Sequence, residues 1–231
     1  MKLKSISTVI AAVMTCSSVV FCTHAGQLHH ANVMRFLAVL GLACMAARFK
    51  LKLPGLDGSM SVNLPFLLIG ALQLSIAEAM LIGGISTLVQ CFPGPGRGMR
   101  PMQMVFNICN VANAAWLASL AFHFSNTAVA AAAIAGGAYF LADTLPVALV
   151  VSMAEERSFT ETYRRVWLLS FPYFTVGVCL AGLLTLVTKT GFSIPGIVAV
   201  MGVMCGVYAS YRVYFAACEN TMHPAAAVAG D

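Results

Sequence analysis

Two acids and a set of amides are the residues whose types and positions could do chemistry. Glu78 and Asp143 lie near or within strongly apolar segments. An ionisable group there is costly to keep and by default marks a ligand, ion or proton site. Gln103, Asn107, Asn110 and Asn113 fall in one apolar stretch. At about 100° per residue the first three share a helix face and Asn113 sits at its edge. An unsatisfied amide in hydrocarbon costs several kcal/mol, so such a row either bonds neighbouring helices or lines a polar pocket. Asn63 and Gln73 can face the same interior. The candidate ligand-binding set is therefore Asn63, Gln73, Glu78, Gln103, Asn107, Asn110 and Asp143. A neutral, amide-lined pocket with one or two acids suits a small polar or cationic molecule.

Each acid also has a structural reading. Ser75-Ile76-Ala77-Glu78 is a capping box, in which Glu78 reaches back to the start of its own helix. Asp143 can hydrogen-bond a neighbouring helix or pair with Arg35. Pro146 follows it and interrupts the helix, leaving the carbonyl near Ala142 without its amide partner. A catalytic set is not found. The chain has no His-Glu-x-x-His and no Gly-x-Ser-x-Gly. Pro93-Gly94-Pro95-Gly96-Arg97-Gly98 has glycines but no following Lys-Ser/Thr pair, and its prolines remove amide donors. His24, His29, His30, His123 and His223 lie at helix ends or in the tail without metal-ligand spacing. None of the eight cysteines forms a CxxC pair, and nearly all fall in apolar runs, where they act as small hydrophobes. The expectation is a protein that is not an enzyme and carries no metal or cofactor.

The elements that position these residues are set by composition. Of 231 residues, 60% are apolar and 9% charged, with a mean hydropathy of +0.87. A soluble domain is about 45–50% apolar and about 25% charged. So few charges cannot cover a water-facing surface, which excludes a soluble globular enzyme. Disorder is excluded by the same numbers. At about 20 residues per span the chain has room for about seven or eight crossings and no soluble domain. The fold expected is an all-α polytopic membrane helix bundle. It occupies 1–217 as a single domain, with a short cytoplasmic tail at 218–231.

The apolar runs lie at 5–23, 31–48, 61–92, 102–124, 128–153, 167–187 and 194–217. The first follows Lys2 and Lys4 and reads as a signal peptide or, given its length, as an uncleaved first helix. The turn-rich stretch from Arg48 to Gly58 is non-helical. Read as one helix, 61–92 would be about 45 Å long against a hydrocarbon core of about 30 Å. The capping box at Ser75 divides it into a short helix near 62–74 and a second near 76–91. Ser158-Phe159-Thr160-Glu161 is a further capping box, opening the helix that carries Arg164 and Arg165 into the span at 167–187.

Charge supports the division. With a break at Ser75, eleven of the thirteen Lys and Arg residues share one side. They are Lys2, Lys4, Arg48, Lys50, Lys52, Arg97, Arg100, Arg157, Arg164, Arg165 and Arg212; Arg35 and Lys189 face the other. Without the break they divide almost evenly. The positive-inside rule then makes both termini cytoplasmic. Signal cleavage would remove one crossing and leave the C-terminus where it is. The net charge of +5 thus reports orientation and not nucleic-acid binding. Tyr208, Tyr211 and Tyr214 sit where interfacial aromatics belong. Small residues at four-residue spacing, Gly202-Gly206-Ser210 and Ala79-Gly83-Thr87, mark close helix packing within the chain or docking of a partner helix.

The order of features is that of a known group. The stretch RFKLKLPGLDGSMSVNLPFLLIGALQLSIAEAMLIGGISTLVQ, from Arg48 to Gln90, resembles the membrane-embedded N-terminal region of bacterial signalling proteins that carry a cytoplasmic HD-type phosphohydrolase or GGDEF cyclase domain. The likeness continues at Arg100-Pro101-Met102-Gln103-Met104-Val105-Phe106-Asn107. It returns at Trp167-Leu168-Leu169-Ser170-Phe171-Pro172-Tyr173-Phe174 and at Tyr208-Ala209-Ser210-Tyr211-Arg212-Val213-Tyr214. The resemblance implies a sensory membrane module of the bacterial inner membrane whose output is cytoplasmic. In those proteins an effector follows the last span; here the sequence ends at Asp231, so the expectation is a module acting through a partner effector. The loop, short helix, break and Gly-rich helix also look like the substrate-capturing membrane subunits of energy-coupling-factor vitamin transporters. That likeness implies a transport module as partner.

Overall fold

The structure is a computed structural model that describes residues 2–30, 32–52, 59–92, 101–125 and 127–188, and then 198, 202–203, 205–206, 208–210 and 212–213. Helix α1 covers Lys2–His24 and passes through a 3-10 turn, Ala25–His30, to α2, Val33–Ala47. Strands β1 (Lys50–Lys52) and β2 (Ser59–Ser61) form an antiparallel hairpin with Leu51 opposite Met60. Helices α3 (Leu64–Gln73), α4 (Ile76–Cys91), α5 (Pro101–Phe122), α6 (Ala128–Glu155) and α7 (Phe159–Thr188) follow. The apolar run at 194–217 and the tail at 218–231 lie largely outside the described residues.

Local chemistry sets these boundaries. The Asn32 side chain accepts from the Arg35 N–H at 3.2 Å and starts α2. Pro65 sits in the first turn of α3, where its missing N–H leaves nothing unpaired. Leu74 and Ser75 are extended, so α3 stops and α4 begins anew. Ser75 and Glu78 close the capping box in both directions, as their spacing predicts. Glu156 ends α6 in a left-handed conformation (φ 58°), and the Arg157 N–H turns back onto the Ser152 carbonyl at 3.1 Å. Pro146 does not break α6, contrary to the expectation from sequence. A transmembrane helix tolerates proline within its length; the Asn110 amide of α5 bonds the Asp143 main-chain oxygen, one residue beyond the carbonyl that proline deprives of its amide. The short hairpin strands flank the turn-rich stretch that the sequence marks as non-helical, and the fold class is all-α.

The centre of the bundle is α3. Leu64, Phe66, Leu67, Leu68 and Ile69 are all buried, since a ten-residue helix that is apolar all round must be enclosed. It packs against α2, α4, α5 and α7. Further core is made by Tyr139 and Phe140 of α6 with Tyr173 and Phe174 of α7. Large apolar side chains such as Met34, Leu37, Leu141, Leu168 and Leu183 face outward.

Among the described residues four helices are long and apolar enough to cross a membrane: Ile6–Leu28, Pro101–Phe122, Val129–Glu155 and Phe159–Leu183. This is a membrane protein with an α-helical bundle. Helices α2, α3 and α4 have 15, 10 and 16 residues, or about 22, 15 and 24 Å at about 1.5 Å per residue. Each is shorter than a hydrocarbon core of about 30 Å. The two small-residue rows behave differently. Ala79 and Thr87 are buried, and a Cβ at Gly83 would lie 3.3 Å from Val111 of α5. Gly202, Gly206 and Ser210 are exposed, and a Cβ at either glycine would meet nothing within 4 Å. The cysteines are distributed outward: Cys16, Cys22, Cys179 and Cys205 are exposed and Cys44, Cys91 and Cys109 half-buried.

A candidate binding site at the helix break

A cavity of about 350 Å³ opens where α3 gives way to α4. It is lined by Gln27, Asn32, Arg35, Gln73, Leu74, Ser75 and Glu78. Two chain reversals build it. The turn between α1 and α2 brings Gln27, Asn32 and Arg35; the break at Ser75 brings the rest. The reversals are pinned together, since Gln27 Oε1 accepts from the Ala77 N–H at 3.4 Å. Gln27 Nε2 lies 3.3 Å from His24 Nδ1. The helix break and the α1–α2 turn therefore share one end of the bundle, while α2 carries the chain to the hairpin at the other.

Glu78 is the buried charge of the site, 4% exposed. Its Oε2 accepts from the Ser75 N–H at 2.9 Å and the Ser75 hydroxyl at 2.7 Å. Ser75 Oγ in turn accepts from the Glu78 N–H at 3.3 Å. Capping thus uses one carboxylate oxygen. The other, Oε1, is buried with no hydrogen-bond partner. Arg35 is exposed at the rim. Among the described residues Arg157 pairs with Glu155, and no ion pair joins Arg35 to Glu78.

The remaining candidate residues are elsewhere. Asn63 is buried at the start of α3 and donates to Ser86 Oγ at 3.3 Å. Asn110 donates through Nδ2 to both the main-chain oxygen and Oδ1 of Asp143, at 3.0 and 2.9 Å. This amide, and not Arg35, is the partner of Asp143. Asn107 donates to Cys91 Sγ at 3.8 Å, and Gln103 is exposed. Asn113 donates to the Val13 carbonyl of α1 at 3.1 Å. Three of the four amides of α5, Asn107, Asn110 and Asn113, thus tie α5 to α4, α6 and α1 in turn. Of the candidate set, Gln73 and Glu78 come together in the cavity, and Gln27, Asn32 and Arg35 join them. Gln27 and Asn32 were missed. Their signal was a polar turn between two apolar runs, placed by the charge pattern at the same membrane side as Ser75.

No family model, curated protein or solved structure matches this chain.

Proposed function

We propose that the protein is a membrane-embedded binding module for a small polar molecule, without catalytic activity, received at the helix break. One observation carries this: a cavity at one end of the bundle in which six polar side chains from two pinned chain reversals converge. Its volume lies in the range of small-molecule sites, about 300–1,000 Å³. Seated at one end, the site faces an aqueous side. By the distribution of Lys and Arg that side is external, with both termini cytoplasmic; the resemblance of 48–90 to bacterial sensory regions implies the bacterial inner membrane.

Binding there is relayed to a partner. The resemblance of 48–90 to sensory regions favours a cytoplasmic effector. The exposed row Gly202-Gly206-Ser210 favours a second reading, docking on a transport module. Sensing and transport part on one result: uptake of the ligand when a transport module is co-expressed.

Binding is tested on the full chain in lipid nanodiscs, screened by thermal shift against a library of small polar molecules. A hit is expected to lose at least about tenfold in affinity on Gln73→Leu, because an apolar side chain cannot replace the amide's hydrogen bonds. Hits indifferent to Gln73→Leu and to Asn32→Ala would overturn the assignment. Orientation is tested separately. A reporter fused after Gly96 should read cytoplasmic, and an external reading removes the break-dependent topology.

A further inference from the structure

We infer that the cavity at the helix break takes a small zwitterion, an α-amino acid or a molecule of that type, with its carboxylate at Arg35 and its ammonium at Glu78. The inference rests on the cavity being a ligand site and adds the ligand's charge pattern.

The lining holds one cation and one anion; its other polar members, Gln27, Asn32, Gln73 and Ser75, are neutral. Neither charge is neutralised by the other. Glu78 is 4% exposed, and Oε1 has no donor. A buried carboxylate oxygen without a donor is costly, so a ligand N–H that reaches it is favoured beyond an ordinary hydrogen bond. Ser75 cannot supply that donor, because its N–H and hydroxyl both serve Oε2. Arg35 presents a planar fork of donors that matches a carboxylate and accepts nothing.

Charge selects among ligands. A simple cation completes Glu78 but meets Arg35 across the same cavity. A simple anion completes Arg35 and meets Glu78. A neutral molecule satisfies neither as an ion pair. A zwitterion of amino-acid size completes both, and about 350 Å³ is at the small end of ligand sites. The helix ends do not make the cavity an anion site. The α4 N-terminus is already occupied by Ser75, Glu78 and Gln27, and the Asn32 side chain serves that of α2.

The test uses the full chain in nanodiscs, with calorimetric titration of the common α-amino acids one at a time. For any that binds, the α-amide, which lacks the anion, and the N-acetyl form, which lacks the cation, are compared. At least one α-amino acid is expected to bind, with a loss of about tenfold or more for each single-charge form. Glu78→Gln and Arg35→Gln should each reproduce that loss. Gln keeps the capping box, so Glu78→Gln tests charge and not folding; unchanged thermal stability of the unliganded variant checks this. Equal binding of a single-charge form, or binding indifferent to both substitutions, would overturn the zwitterion. If no amino acid binds but another small molecule does so in a Gln73-dependent way, the charge pattern fails and the site stands. If nothing binds, both fail.

Discussion

Asn110→Ala is expected to destabilise the bundle by about 2 kcal/mol, measured by reversible unfolding in mixed micelles. Asn110 is 2% exposed and gives one amide to two oxygens of α6. Truncation strips a donor from the Asp143 carboxylate and from a main-chain carbonyl next to the one that Pro146 orphans. A hydrogen bond to a charged group contributes about 1.5–3 kcal/mol, and the vacated space adds to the loss. Against this, interhelical hydrogen bonds in membranes average only about 0.6 kcal/mol and reach about 1.7, because the unfolded chain in lipid finds other partners. The pair's own share is separable. Asp143→Ala keeps the main-chain acceptor and removes the side-chain one. A double-mutant cycle should therefore give about 1–1.5 kcal/mol of coupling. Coupling within about 0.3 kcal/mol of zero would mean that the two side chains do not hold α5 to α6.

Two adjacent glycines of α6 should respond very differently to substitution. A Cβ at Gly136 would overlap both γ-carbons of Val178 on α7 and lie 3.2 Å from its Cβ. Valine is stiff at χ1, so it cannot swing its methyls away as a longer side chain would. A Cβ at Gly137 would meet nothing within 4 Å. Overpacking costs about 1–3 kcal/mol and occasionally more, whereas Gly→Ala in an open helix interior gains about 0.8–1.0 kcal/mol. Gly137→Ala is thus expected to be stabilising or neutral. Gly136→Ala should lose about 2 kcal/mol, and Gly136→Ile about 4 kcal/mol, enough to cut accumulation in the membrane. Val178→Ala should rescue Gly136→Ala, because it removes the two methyls in the way. Failure of that rescue, with Gly136→Ala as stable as Gly137→Ala, would show that α6 and α7 do not meet there.

The legible parts of this molecule were those whose partners are close in sequence. The break at Ser75 is a contest within four residues: a hydroxyl and a carboxylate that satisfy the first amides of a new helix. It needs no tertiary information, and it was found. Pro146 was misread for the opposite reason. Proline removes one hydrogen bond locally, but whether the helix parts is decided by the helices packed around it: α6 continues through Pro146, and its Asp143 is bonded by Asn110 of α5, 33 residues away from Asp143 in the chain. The amides of α5 were recognisable as a polar face. Their separate acceptors on α4, α6 and α1 were not, because an amide serves a ligand and a neighbouring backbone equally well.

The sequence by itself determined that this is a helical membrane protein, because so small a charge fraction cannot cover a water-facing surface. It determined where α4 begins, because the capping box at Ser75 acts within four residues. Tertiary structure decided which polar residues are spent on holding helices together and which are left over. Asp143 stood out in the sequence and is taken up by Asn110. Glu78 was explained as a cap, yet capping leaves Oε1 without a partner beside a cavity that Arg35 also lines. A hydrogen-bonding group's type is written in the chain, but whether it is satisfied depends on atoms brought from other helices.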